Sequence, residues 1–354
     1  VWEFTLVHKS KGRSHNSEFT IEGTREYDRS GPVRWIVSHC WEHKLYFLGG
    51  LFGFLSAYIA FSTARVLFGQ GAQLIIDNAG VAAVVGVSVG VLVASVWDGI
   101  GSLIGSTSLV ILGNRLERDS RHELYVSLLG KSQTFHDQQR VGDIMARATD
   151  DVRQLNAVIQ PGVIFIFDMV LGFLVPITFI ATVNLELLLI PGIFVVLYIF
   201  VVRRYVARLD PVVMEQRTQY GVLNAGLEET LSGIEIVKVA AQEVEERKKF
   251  RRNASKYRDY FVQQGKIEAA YLPLLMYGVA FGLMYLHTLS MYDRGILTIA
   301  DIIAVTGLMS VLRFPVFISL FSISLLQLGI AGARRILELM EQESDIDENQ
   351  DGYS

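Results

Sequence analysis

The chain of 354 residues is poor in the groups that most protein chemistry uses. It has a single cysteine, Cys40, which excludes an intrachain disulfide and a cysteine-built metal cluster. The seven histidines are scattered, so no metal constellation is expected, and no nucleophile–base–acid triad can be picked out. Charge is scarce as well. Asp, Glu, Lys and Arg make up 19% of residues against 51% apolar, and the net charge of −4 gives nucleic acid no reason to bind. The first 45 residues are polar, so no cleavable leader is expected. What is abundant is apolar length. A positive mean hydropathy, +0.35, is hard to reach unless several segments face lipid.

Six apolar stretches stand out, at roughly 46–69, 81–112, 162–182, 187–202, 268–287 and 297–330. About 20 helical residues cross about 30 Å of hydrocarbon, so most can span, and the short fourth must borrow flanking residues. None alternates apolar and polar positions as a closed barrel would. The expectation is an all-α integral membrane protein with six transmembrane helices. Of the 32 Lys and Arg, seven precede the first run, seven lie between the second and third, and thirteen between the fourth and fifth. The opposite loops hold only Arg294. This asymmetry puts both termini and both long loops in the cytoplasm. Those loops, about 50 and 65 residues, are not rich in Gly or Pro and read as helix, with Leu223, Leu227, Leu231, Ile234 and Val237 recurring every three or four residues in the second. The helices are therefore expected to run far beyond the membrane as paired rods.

Ahead of the first span, Ser30-Gly31-Pro32 should start a helix with Ser30 as cap. Val33, Ile36, Val37 and Cys40 then follow at i, i+3, i+4 and i+7, the pattern of a short interfacial helix. The organisation expected is a segment over 1–30, an interfacial elbow over 31–45, the six-helix domain over 46–340, and an acidic linker over 341–354. Six acids and no base fall within 341–351.

Three segments resemble the transmembrane domain of ATP-binding-cassette (ABC) exporters of the multidrug and lipid-exporting kind. The first is Phe135-His136-Asp137 through Val141-Gly142-Asp143-Ile144-Met145-Ala146-Arg147 to Asp150-Asp151-Val152. The second is Leu231-Ser232-Gly233-Ile234-Glu235-Ile236-Val237-Lys238 with Gln242-Glu243. The third is Arg313-Phe314-Pro315 followed by Ala331-Gly332-Ala333-Arg334-Arg335-Ile336-Leu337-Glu338. The resemblance runs from about Trp35 to Met340 and departs from the pattern at His136, where a second aromatic is usual. Read from the residues alone, Gly142 and Gly233 only turn the chain within helical hairpins, or allow close backbone approach, and Asp143 can cap the helix after it.

The resemblance implies more. Gly142, Asp143, Ile144 and Arg147, and Ser232, Gly233, Ile234 and Lys238, would belong to coupling tips that dock on ATPase domains carrying ATP and magnesium. Two halves would form the pathway as a homo- or heterodimer in a prokaryotic plasma membrane. This chain would hold no cofactor and no catalytic residue, its ATPase being fused downstream, separate or omitted. Gly130-Lys131-Ser132 ends like a phosphate loop, but Tyr125 stands where the first glycine belongs. Leu231–Glu235 likewise imitates an ABC signature from within the second loop.

Ionisable groups at membrane depth are functional candidates by default. Arg65, Asp98, Asp168 and Arg313 qualify, with Tyr271, Tyr277, Tyr285 and Phe314 as possible cavity-lining aromatics and Asp301 and His287 nearer the outer surface. The candidate pathway is Arg65, Asp98, Asp168, Tyr277, Arg313 and Phe314. The plainer alternative for each charge is an interhelical pair. An ion-coupled secondary transporter using Asp98 and Asp168, and a membrane anchor or regulatory subunit that moves nothing, are the competing readings.

Overall fold

The structure is a computed structural model describing residues 27–270 and 272–342. The polar segment 1–26, Tyr271 and the acidic stretch beyond 342 lie outside the described residues. Every regular element among those described is helical: α1 (Pro32–Glu42), α2 (Lys44–Ile76), α3 (Val81–Leu129), α4 (Gln133–Gln138), α5 (Val141–Ala146), α6 (Val152–Ala157), α7 (Ile164–Val183), α8 (Leu189–Ser232), α9 (Ile234–Val239), α10 (Glu243–Ala269), α11 (Leu272–Asp293), α12 (Ile299–Val311) and α13 (Arg313–Glu341). Six helical stretches are long and apolar enough to cross a membrane: Lys44–Ile76, Val81–Leu129, Val141–Val183, Leu185–Ser232, Glu243–Asp293 and Ile299–Ser319. The short fourth run does borrow its flanks, through the 3₁₀ turn Leu185–Leu188 and the polar half of α8.

The chain divides into two units. One comprises the described parts of Val1–Leu67, Val85–Val175 and Phe317–Ser354. In it α2 and α3 approach until their backbones nearly touch. A Cβ on Gly53 would stand 2.5 Å from the Gly105 nitrogen, so only glycine fits there. Leu109, Leu112, Leu116, Leu124, Leu155 and Ile336 are all fully buried. The stretch that opens with α5 carries π-helical turns at Arg147–Asp151 and Val158–Val163, and it kinks at Gln160, just before Pro161. Elbow helix α1 starts one residue later than expected. Gly31 occupies the cap position with Pro32 at the first helical site, and Ser30 instead accepts from the Arg34 guanidinium.

The other unit comprises Phe68–Val84 and Pro176–Val316. Here α8 packs on α10 and α11, and α11 packs on α12. The turn into α12 uses Gly295 at φ 73°, a conformation that other L-residues rarely adopt. Thr298 and Asp301 then form a capping box, so Asp301 is committed to starting α12. The sixth apolar run is broken at Leu312, three residues before Pro315, which has no N–H to continue the ladder.

Candidate functional site

Each of the two polar helical arms ends in a six-residue helix. In the first arm Ser132 caps α4 by accepting from the Phe135 amide, and the chain turns at Gln139–Arg140 into α5. Asp143 is not the cap of α5. Arg140 holds the cap position without a side-chain bond, and Asp143 sits in the first turn, where its charge suits the helix dipole. Gly142 has no atom within 4 Å of where a Cβ would be, so the chain itself demands no close approach there. His136 finds a role the usual aromatic lacks: a ring nitrogen lies 3.1 Å from the Leu128 carbonyl near the end of α3, while the ring meets Phe135 edge-on. Val141 and Met145 stand 74% and 54% exposed, with Ile144 half-buried between them.

The rest of this arm is tied to α13. The Arg335 guanidinium grips Asp151 with both arms, Nε to Oδ2 at 2.9 Å and a terminal nitrogen to Oδ1 at 2.5 Å. Arg147 donates to the Arg335 carbonyl at 2.8 Å. Lys131, buried, donates to the Met340 carbonyl at 3.0 Å and also to the Gln342 carbonyl, which places a cation at the C-terminal end of α13. That contact is what the lysine of the imitation phosphate loop does. Gly329 and Gly332 make the approach possible, since a Cβ on Gly329 would fall 1.8 Å from Val158 Cγ2.

In the second arm α8 ends at Ser232, Gly233 takes a non-helical φ of −95° and ψ of 18°, and α9 follows. The half-buried stripe is Leu223, Gly226, Thr230, Gly233 and Val237, offset from the expected one. Leu227, Leu231 and Ile234 stay 42%, 60% and 40% exposed, because Glu246, Lys249, Phe250 and Asn253 of α10 take the smaller side chains as their partners. Lys238 pairs with Glu243 at 3.1 Å, and Ile236 and Val239 project at 75% and 91% exposure.

At membrane depth the candidates separate. The Tyr58 hydroxyl donates to Asp168 at 3.1 Å, so Asp168 has a partner, and it is neither Arg65 nor Arg313. Tyr277 is buried and donates to the Met309 carbonyl of α12 at 3.2 Å, with Phe194 and Phe281 against its ring. Arg65 lies over the Phe61 ring at 4.4 Å, its Nε buried without a hydrogen-bond partner. Among the described residues neither Arg65 nor Asp98 closes an ion pair, although the field of Arg65 reaches Asp98. Arg313 and Phe314 are exposed at the break between α12 and α13.

The residues that sequence reasoning missed are those whose partners are far away in the chain. Asp151 and Arg335 were each visible within separate motifs, but nothing local pairs them across 184 positions. Glu123 drew no notice at all. It is buried, and it receives Arg29 Nε and Trp35 Nε1, each at 2.8 Å. Cys40 sits on the same elbow, its thiol pushed up to about 12 by burial and so unreactive near neutrality.

The description of the ABC transporter transmembrane region matches residues 46–316. Among similar proteins, the uncharacterized ABC transporter ATP-binding protein YknU of Bacillus subtilis is 26% identical over 73% of this chain and 45% of its own length. The probable multidrug resistance ABC transporter ATP-binding/permease protein YheI of the same species is 22% identical over 66% and 40%. The ATP-dependent lipid A-core flippase of Pseudomonas fluorescens (strain Pf0-1) is 25% identical over 73% and 43%. The chain thus spans less than half the length of these curated relatives. The match does not favour the ion-coupled or anchoring alternatives. With six spanning helices and two helical arms, and with the match covering most of its length, the chain belongs to the family of ABC transporter transmembrane regions.

Proposed function

We propose that the chain is one transmembrane half of an ATP-driven exporter, forming a substrate pathway with a second half and taking force from ATPase domains through its two arms. Both arms and both termini face the cytoplasm of a prokaryotic plasma membrane, as the Lys and Arg distribution supports. ATP and magnesium belong to the ATPase domains, fused downstream or on a separate chain. Arg65, Asp98, Arg313 and Phe314 are the groups left to meet an amphiphilic substrate, while Asp168 and Tyr277 are engaged by their own chain. A lipid flippase and a multidrug transporter among the relatives fit a substrate of that chemistry.

The observation that carries this reading is the pair of tips. Each is a short helix at the end of a long polar arm, and each presents bare apolar side chains, Val141 and Met145 on one, Ile236 and Val239 on the other. Apolar groups clustered in that setting mark a surface that a partner covers. The test follows from their exposure. In the complete transporter, Val239→Asp removes a side chain that is 91% exposed, so the melting temperature stays put, and Met145→Asp, at a half-exposed position, lowers it only slightly. Drug- or lipid-stimulated ATP hydrolysis falls by tenfold or more while nucleotide binding persists. Normal stimulation in both variants overturns the assignment. Proline at Gly142 is a weaker probe, because that residue lies in the first turn of α5, where proline is tolerated.

A further inference from the structure

Two spans, α2 and α3, bring an arginine and an aspartate close together at membrane depth and leave both unsatisfied. The helices run antiparallel. A Cβ on Gly101 would stand 3.0 Å from the Ala57 nitrogen, and one on Gly90 would stand 3.3 Å from Leu67 Cδ1. Arg65 falls between those contacts on α2, and Asp98 falls between them on α3. At 1.5 Å per residue, about 16 Å of helix separates Arg65 from the end of α2, and about 25 Å separates Asp98 from the start of α3. The Arg65 guanidinium reaches back one turn to lie over the Phe61 ring at 4.4 Å, which carries it toward the level of Asp98.

The Phe61 ring attracts a cation but offers no acceptor oxygen. Arg65 Nε is buried without a hydrogen-bond partner, and Ser62, three residues earlier on α2, is fully buried with its hydroxyl equally unpartnered. Asp98 is half-buried, and among the described residues no donor reaches it. The field of Arg65 reaches Asp98, yet the two do not close a pair. Asp168 of α7 is different, because the Tyr58 hydroxyl already donates to it at 3.1 Å. The field of Asp98 extends to that tyrosine as well. The titratable groups gathered here are thus Tyr58 and Arg65 from α2, Asp98 from α3 and Asp168 from α7.

A cation and a carboxylate left open at this depth are costly. A bare cation would satisfy Asp98 and be repelled by Arg65, and a bare anion would do the reverse. A ligand carrying both charges satisfies both groups at once. Guanidinium receives two oxygens of a phosphate or carboxylate side by side, and a carboxylate accepts from the N–H groups of a primary ammonium. We propose that Arg65 and Asp98 are the two poles of a binding site for a zwitterionic headgroup, its anionic oxygens on Arg65 and its primary ammonium on Asp98. As a statement about substrate class this rests on the exporter reading; as a binding site it does not.

The test is native mass spectrometry of the complete transporter titrated with three amphiphiles: phosphatidylethanolamine, which is zwitterionic, phosphatidylglycerol, which is anionic, and stearylamine, which is cationic. The native protein should bind the ethanolamine lipid at least about tenfold more tightly than either of the others. Arg65→Gln should erase its advantage over stearylamine, and Asp98→Asn its advantage over phosphatidylglycerol. A merely structural pair would not change that ranking. If one variant fails to insert, the native ranking and the other variant decide. Displacement of the lipid by chain-free glycerophosphoethanolamine would mark a water-soluble zwitterion as the source of the headgroup, and resistance to displacement would mark the lipid. Equal binding of all three amphiphiles by the native protein, or a native ranking that survives in both variants, overturns the proposal. Binding with the expected ranking but without ATP-driven movement of any amphiphile would leave the site standing and overturn the exporter reading.

Discussion

The two polar arms end alike and are held differently. The first is stitched along α13 by groups distant in sequence: Arg335 on Asp151, Arg147 on the Arg335 carbonyl, Lys131 on the end of the helix. Its key carboxylate is buried, and Gly329 and Gly332 of α13 press closely against it. The second is a plain hairpin of α8 and α10. Its ion pairs, Lys249 with Glu229 and Glu246 and Lys238 with Glu243, lie largely in water, and Gly221 meets nothing within 4 Å. Leu227, Leu231, Ile236 and Val239 stay uncovered along it. The first arm is thus a rigid extension of its own unit, whereas the second has apolar surface for which its own unit supplies no cover. If the arms transmit force as proposed, the first carries its partner's motion directly into α13, and the second depends on whatever docks against it.

Four substitutions can break or sharpen that contrast. Arg335→Ala should have the largest effect, because it leaves Asp151 buried without its charged donors; with Arg335 itself 43% exposed the cost is about 2–3 kcal/mol, read as a fall in melting temperature. A normal melt would mean that the stitch does not hold the arm. Gly329→Ala should follow at about 2 kcal/mol, since the new methyl meets Val158 and one of the two helices must shift. Gly221→Ala in α8 should do the opposite and stabilise by about 0.5–1 kcal/mol, from helix propensity with nothing to collide with. Lys249→Ala should leave the melt unchanged, as exposed pairs usually do. If Lys249→Ala matched Arg335→Ala, the distinction between the arms would fail.

What could be read from the sequence follows the range over which each signal acts. The six spans were legible because about 20 apolar residues in a row carry their own meaning, and the arms were legible as helix because they are not rich in Gly or Pro. The tips around Gly142 and Gly233 were found through motif resemblance, not through glycine chemistry, since neither has a left-handed φ and Gly142 is uncrowded. The periodicity of the second arm was real and right at its ends, Leu223 and Val237, but in between Leu227 and Leu231 looked like the packing stripe, and Gly226 and Thr230 are. Small residues can face the partner helix because α10 brings Glu246 and Lys249 across, and that choice cannot be read from α8 alone. In the elbow, too, one burial partner is distant in the chain. Val33 and Val37 remain half-exposed, whereas Trp35 and His39 are buried by a glutamate 88 residues from Trp35.

The central claim is that the bare tips are covered by an ATP-binding domain. A photoreactive residue placed at Val239, and separately at Met145, in membranes holding the complete transporter tests this most directly. The account predicts that irradiation joins each position to a nucleotide-binding domain, with yield that changes when ATP is added. Adducts to lipid alone, or to no protein at either position, would contradict it.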